Sequence, residues 1–168
     1  MKTWNILPFL LLALAGCSHK SPEAHLDYPY STASSGDYWY MWDQKNALVA
    51  LHFLKAFENG RIDEAMSAIG DSVRWTYDYF DRRICKDSLK ARLQKFRSDT
   101  RLVQVRMNDW KSFINLSSRK QHVILLYRLV WEANNGRKDS VEKIDDIELD
   151  KGKIISLEEK SRHLPKNT

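Results

Sequence analysis

The chain changes its hydrophobic period several times, and each change marks a boundary. Ile6 to Ala15 is uninterruptedly apolar. Ser18 to Gly36 shows no apolar period and is rich in Ser, Pro, Ala and Gly, the composition of a semi-extended tether. Beyond Asp43 the period becomes helical. Ala47, Ala50, Leu51, Leu54 and Phe57 recur at spacings of three and four, Asp43 is placed to cap the start, and Asn59-Gly60 stops the run after Glu58. A short second helix is expected around Asp63, with Ile62, Ala65, Met66 and Ile69 on one side and Gly70 at its end. Ser72 to Phe80 then alternates through Val73, Trp75, Tyr77 and Tyr79, which predicts a strand. A third helix, from about Lys86 to Arg97, turns Leu89, Leu93 and Phe96 inward, and Asp87 favours its first turn.

After that the period of two persists. Leu102 to Ile114 alternates through Val103, Val105 and Met107, and its phase slips near Asn108-Asp109-Trp110, the mark of a bulge. Gln121 to Glu132 is the most apolar strand, with Val123, Leu125, Tyr127, Leu129 and Trp131 on one face and Ile124, Leu126 and Val130 on the other. A strand apolar on both sides needs two covers. Asn135-Gly136 reads as a hairpin turn, Asp139 to Leu149 returns, Lys151-Gly152 turns again, and Lys153 to Leu164 closes the pattern. Helices first and a meander afterwards predict an α+β fold, three N-terminal helices packed on one face of a curved antiparallel sheet.

The N-terminus has the three parts of an export signal. Lys2 provides the positive start, Ile6 to Ala15 the apolar run, and Ala15-Gly16 the small residues beside a cleavage point. The apolar run is too short to span a bilayer, which takes about 20 helical residues. Leu14-Ala15-Gly16-Cys17 resembles a bacterial lipobox. That resemblance implies a signal peptide over 1–16, lipid on Cys17, and a tether over 17–36. Several acyl chains on one residue anchor a protein stably. Ser18 after the cysteine, in place of an aspartate, implies an outer-membrane address in a two-membrane bacterium. Residues 37–45 carry Tyr38, Trp39, Tyr40 and Trp42, read either as a ligand platform or as a strap over the domain, the strap being preferred.

Charge and cysteine usage narrow the classes further. The net charge is +5, with acidic and basic residues interspersed, which argues against a nucleic-acid footprint. Once Cys17 carries lipid, Cys85 is the only thiol left, so no intrachain disulfide is expected. Without the leader, about 150 residues remain, enough for one domain with a real core.

Over 46–164 the order of motifs resembles the nuclear transport factor 2-like superfamily, also called SnoaL-like or cystatin-like α+β cones. Phe53-Leu54-Lys55-Ala56-Phe57-Glu58-Asn59-Gly60-Arg61-Ile62-Asp63 is similar to its first-helix motif, and Asp71-Ser72-Val73-Arg74-Trp75 to its first strand. Lys86-Asp87-Ser88-Leu89 stands at its third-helix motif, with Cys85 in place of the usual glycine. Asp145-Asp146-Ile147-Glu148-Leu149 with Lys151-Gly152-Lys153-Ile154 is similar to its closing hairpin. The arrangement also resembles small lipoproteins of this superfamily found in bacteria of the Bacteroidetes type. The resemblance implies a strongly curved sheet forming a cone with a pocket, and a fold that serves isomerases, dehydratases, hydrolases, binders and dimer scaffolds alike.

Candidate chemistry rests on a few single residues. Against the ketosteroid isomerases of this superfamily, the acid-donor position falls on Asp145, the tyrosine position on Phe53, which has no hydroxyl, and the base on Tyr77 or, shifted by one, Asp78. Lys143 and Asp145 share one side of a strand and could simply pair. The histidine-dependent members of the superfamily point instead to His52, His122 and His163, each isolated here. Cys85, at a loop-to-helix junction near Arg82, Arg83 and Lys86, is either a thiol of lowered pKa or a small buried residue replacing glycine. No histidine pair has metal-ligand spacing, and neither a metal nor a cofactor is expected. Phe53, Trp75, Tyr77, Trp110, Tyr127 and Asp145 are the candidate pocket residues. The reading is an envelope lipoprotein with a non-catalytic cavity for a small apolar ligand, or a scaffold. An acid–base enzyme, with Asp145, Asp78, His52 or Cys85 as the catalytic group, and an envelope-complex partner are the alternatives. A homodimer packed through outer sheet faces is a further expectation.

Overall fold

In the computed structural model the described residues are 39–41 and 43–163. The leader, Cys17, the tether, Tyr38 and Trp42 lie outside them. The elements are β1 (Trp39–Met41), α1 (Lys45–Glu58), α2 (Ile62–Ser67), β2 (Ile69–Tyr77), β3 (Phe80–Cys85), α3 (Lys86–Ser98), β4 (Thr100–Asn115), β5 (Gln121–Ala133), β6 (Lys138–Asp150) and β7 (Lys153–His163). The strands make one sheet in the order β1-β4-β5-β6-β7-β2-β3. This is an α+β fold, as the sequence predicts.

Local chemistry explains most boundaries. The Asp43 carboxylate accepts a hydrogen bond from the Lys45 amide at 2.9 Å, so Asp43 supports the start of α1 from just outside it. Gly60 closes that helix at a φ of +72°, in the left-handed region where a side chain is penalised. Between β6 and β7, Lys151 and Gly152 both take positive φ, the pattern of a two-residue hairpin that matches strand twist. The β5–β6 loop is longer, Asn134 to Arg137, with the Gly136 amide donating to the Ala133 carbonyl at 2.9 Å.

One face of the sheet is covered by the helices. Ala47, Ala50, Phe53, Leu54 and Phe57 of α1 pack with Leu89 of α3 and with Val103, Val123, Leu125, Tyr127 and Leu129 of β4 and β5. The face expected inward on β5 is the one buried. The slip in β4 is also present, as a register shift between Met107 and Asp109.

The structure differs from the expected elements in several places. The sheet is mixed: β2 runs parallel to β7, with Trp75 opposite Leu157 and Tyr77 opposite Glu159. Ile69 and Gly70 belong to β2, not to the second helix. The strand expected to reach Phe80 ends at Tyr77; Asp78 and Tyr79 form a hairpin turn, Asp78 at a φ of +47° and Tyr79 fully exposed. Phe80–Cys85 is an additional edge strand. At the opposite edge, Trp39–Met41 of the expected strap pair with β4 as a strand.

Candidate functional site

Between α1, α3 and the inner sheet face lies a cavity of about 310 Å³. Phe53, Leu54 and Phe57 come from α1, and Leu89, Leu93 and Phe96 from α3; Trp75, Leu129 and Leu157 complete the apolar wall. Five polar residues also reach it: Arg92, Tyr127, Lys143, Asp145 and Glu159.

Strand register brings the polar residues together. Leu125 stands opposite Asp145 and Tyr127 opposite Lys143, so Tyr127 is diagonal to Asp145 on the same inward face. Asp145 is opposite Glu159, and Lys143 is therefore diagonal to Glu159. The parallel pairing puts Trp75 diagonal to Glu159 from the other side. Diagonal neighbours lie about 7–8 Å apart, within reach of long and aromatic side chains. The contacts follow: the Tyr127 hydroxyl donates to Asp145 Oδ2 at 2.6 Å, Lys143 Nζ donates to Glu159 Oε2, and Trp75 Nε1 donates to Glu159 Oε1 at 2.8 Å.

Asp145 is the exceptional member. It is 4 % exposed, and no hydrogen-bond donor among the described residues reaches its Oδ1. Lys143 Nζ stands 3.9 Å from that oxygen, engaged more closely with Glu159. Burial pushes the Asp145 carboxyl up to about 7, and the charge of Glu159 adds to the rise, while Lys143 and the Tyr127 hydroxyl oppose it. Burial, with the charges of Asp145 and Glu159, lifts the Tyr127 hydroxyl well above its ordinary value, so it stays a donor. For Lys143 burial works against the charge, but Asp145 and Glu159 outweigh it and keep the ammonium protonated. The cavity thus holds an ammonium that its neighbours keep protonated and one carboxyl pushed up to about 7, a group able to exchange a proton near neutrality.

Of the residues singled out in the sequence, Phe53, Trp75, Tyr127 and Asp145 line this cavity. Tyr77 does not; it stacks on Phe80 with ring centres 5.2 Å apart. Trp110 is 42 % exposed and also off the wall. Asp78 is in the hairpin turn, and His52 is exposed on α1. His122 pairs with Asp146 at 2.8 Å on the outer sheet face, and the His163 side chain is 73 % exposed. Cys85 is exposed, not buried, and its thiol is lowered by the Ser88 hydroxyl and amide, not by the neighbouring arginines. Among the described residues no three His, Cys, Asp or Glu side chains converge as metal ligands would.

No family model and no curated protein matches the chain. Solved structures do match in fold. An epoxide hydrolase of M. tuberculosis, described as LEH-like, superposes with a TM-score of 0.59 at 15 % identity, covering 71 % of this chain and 84 % of that one. An NTF2-like protein from Burkholderia xenovorans gives 0.54 at 17 % identity over 73 % and 93 % of the two chains. A putative polyketide cyclase of Xanthomonas campestris gives 0.52 at 14 % identity over 69 % and 89 %. The fold is therefore the NTF2-like, SnoaL-like α+β fold.

Proposed function

We propose that the domain binds a small apolar molecule in this cavity and moves a proton on it through Asp145. The cone geometry implied by the resemblance fits this, with the cavity as the interior of the cone. One observation carries the catalytic half: a buried, cavity-lining carboxyl pushed up to about 7, with one oxygen held by Tyr127 and the other without a hydrogen-bond donor among the described residues. Above about pH 7 that oxygen accepts a proton from an attacking water or an acidic carbon; below it, it donates one. Ring opening of an epoxide by water and ring closure through an enolate both need such a group, and the similarity to a hydrolase and a putative cyclase supports the reading. The non-catalytic alternative explains the apolar wall but gives no reason to bury Asp145 with Oδ1 lacking a hydrogen bond.

We also propose, from the lipobox, that lipid on Cys17 holds the protein at a bacterial envelope membrane, the outer one where two exist.

The catalytic half is tested with a panel of small apolar epoxides and enolisable ketones in deuterated water. Diol formation and deuterium at the α-carbon are the readouts, for wild type and Asp145→Asn. General acid–base catalysis contributes about 10²–10⁴-fold. A wild-type rate of that order above buffer, lost in a folded Asp145→Asn, is expected. Rates at the buffer level in both, from a chain that binds the panel members, would remove catalysis and leave a binding protein.

A further inference from the structure

We infer that the cavity's ligand is an amphipathic anion, a compact apolar body ending in a carboxylate or similar group, and that Arg92 at the cavity wall is its anion-recognition residue. The inference rests on the cavity being the binding site proposed above and adds the ligand's charge and orientation.

Charge balance is the first argument. Lys143 and Glu159 neutralise one another inside, and Asp145 below about pH 7 adds nothing. Arg92 is then the cation left over: it lines the cavity, is exposed, and forms no ion pair or hydrogen bond with another described residue. Its guanidinium is not loose, however. It lies 5.6 Å from the centre of the Trp75 ring and 5.5 Å from that of Phe80, close enough for cation–π attraction to both. A guanidinium stacked on aromatic faces still presents its N–H fork at the edge, the geometry that takes a carboxylate through two parallel hydrogen bonds. The ring contacts thus fix the cation without consuming its donors.

Shape is the second. Much of the wall is hydrocarbon, from Phe53, Leu54, Phe57, Leu89, Leu93 and Phe96, so it suits an apolar body. The cavity's volume of about 310 Å³ is at the small end of the range for small-molecule sites, which suits a compact ligand. With the charged end at the exposed Arg92, the anion stays partly hydrated, and only the body is desolvated. The reverse orientation would bury the anion beside a Lys143 already engaged by Glu159, with no free cation there among the described residues to receive it.

The test uses the full-length chain carrying Cys17→Ser and three matched probes: 4-phenylbutanoate, 4-phenylbutan-1-ol and 4-phenylbutylammonium. Titration calorimetry at pH 6 keeps Asp145 largely neutral. The carboxylate should bind about fivefold tighter than the alcohol, the range between an exposed ion pair and a charged hydrogen bond, and the ammonium weakest. Arg92→Met keeps a stem over Trp75 and should bring the carboxylate down to the alcohol, whose own affinity stays. Arg92→Lys should restore part of the preference, and salt should erode it. Equal binding of carboxylate and alcohol by the wild type, or a preference that survives Arg92→Met, overturns this inference while leaving the cavity as a binding site. If no probe binds, the cavity reading fails and the inference with it.

Discussion

A carboxyl pushed up to about 7 has a consequence for stability that requires no knowledge of the ligand. Asp145 has an ordinary value of 3.8 and a folded value of about 7, chiefly because burial penalises its charged form. Since the folded value is the higher one, its contribution is complete below about pH 4 and is lost as pH rises toward 7. A rise of about three pH units, at about 1.4 kcal/mol each, amounts to about 4 kcal/mol. An asparagine at this position would mimic the protonated acid at every pH, so Asp145→Asn cancels this loss. Other carboxylates act in the opposite sense: Arg74, by a hydrogen bond from its side chain, holds Asp81 down at about 2. Those groups are common to both proteins and drop out of the difference. Urea unfolding of wild type and Asp145→Asn at half-unit steps from pH 4 to pH 8 is the assay. The mutant should gain on the wild type by about 4 kcal/mol across that window, most steeply around pH 5 to 6. A difference that stays flat would show that the buried carboxyl titrates normally, and the proton-transfer argument would go with it.

Three other outcomes are expected. Gly136 sits at a φ of +85° with open space around it, so Gly136→Val meets no clash but forces a β-branched residue into the left-handed region; a loss of about 1 kcal/mol or more should lower the melting temperature, and an unchanged one would refute the turn strain. Cys17→Ser should abolish acylation and leave an uncut precursor, and a mature-sized, membrane-bound mutant would end the lipoprotein proposal. On the outer sheet face Leu102 and Ile144 are about half exposed, which keeps the homodimer proposal open despite the Arg128–Glu142 and Arg162–Glu142 pairs there; light scattering on full-length Cys17→Ser should give a two-chain mass, and a one-chain mass would exclude it.

Elements whose period is carried by large apolar residues could be read directly. The α1 stripe, the inner face of α3 and the alternation of β5 each pack against the core the residues they predict, some, such as Leu93 and Phe96, only half-buried, because one inward face imposes the period. β3 was not legible for the converse reason. Phe80-Asp81-Arg82-Arg83-Ile84-Cys85 is an edge strand with only β2 beside it, so solvent accepts its charges and no full apolar face is required. The Asp78-Tyr79 turn was hidden because it contains no glycine, and Tyr79 continued the alternation of β2 by coincidence. The parallel alignment of β2 on β7 leaves no local trace at all, since it depends on how distant segments meet and not on the period of either.

The candidate site is half legible in the sequence, and the missing half is the set of partners around Asp145. At the superfamily's tyrosine position Phe53 offers no hydroxyl. Phe53 is indeed only wall, but the hydroxyl arrives from another element. Tyr127 could be seen as an inward aromatic of β5; that its oxygen would meet Asp145 depended on the register of β5 against β6. A one-residue slip would have turned it to the outer face. Lys143 was visible as a same-side neighbour of Asp145, yet its main partner, Glu159, lies one strand further on, and Trp75 holds that carboxylate only through the unforeseen parallel pairing. The one available signal was a charged residue at an inward position of β7, two beyond the buried Leu157, where an apolar side chain would otherwise be expected. A buried lysine, two carboxyls, a phenol and an indole are costly to assemble for packing alone, because hydrocarbon of the same volume would serve the core at least as well. Three diagonal pairings across three strand junctions instead hold two carboxyls at the cavity wall, Asp145 through Tyr127 and Glu159 through Lys143 and Trp75, and an arrangement of that cost fits the proposed action on a bound molecule.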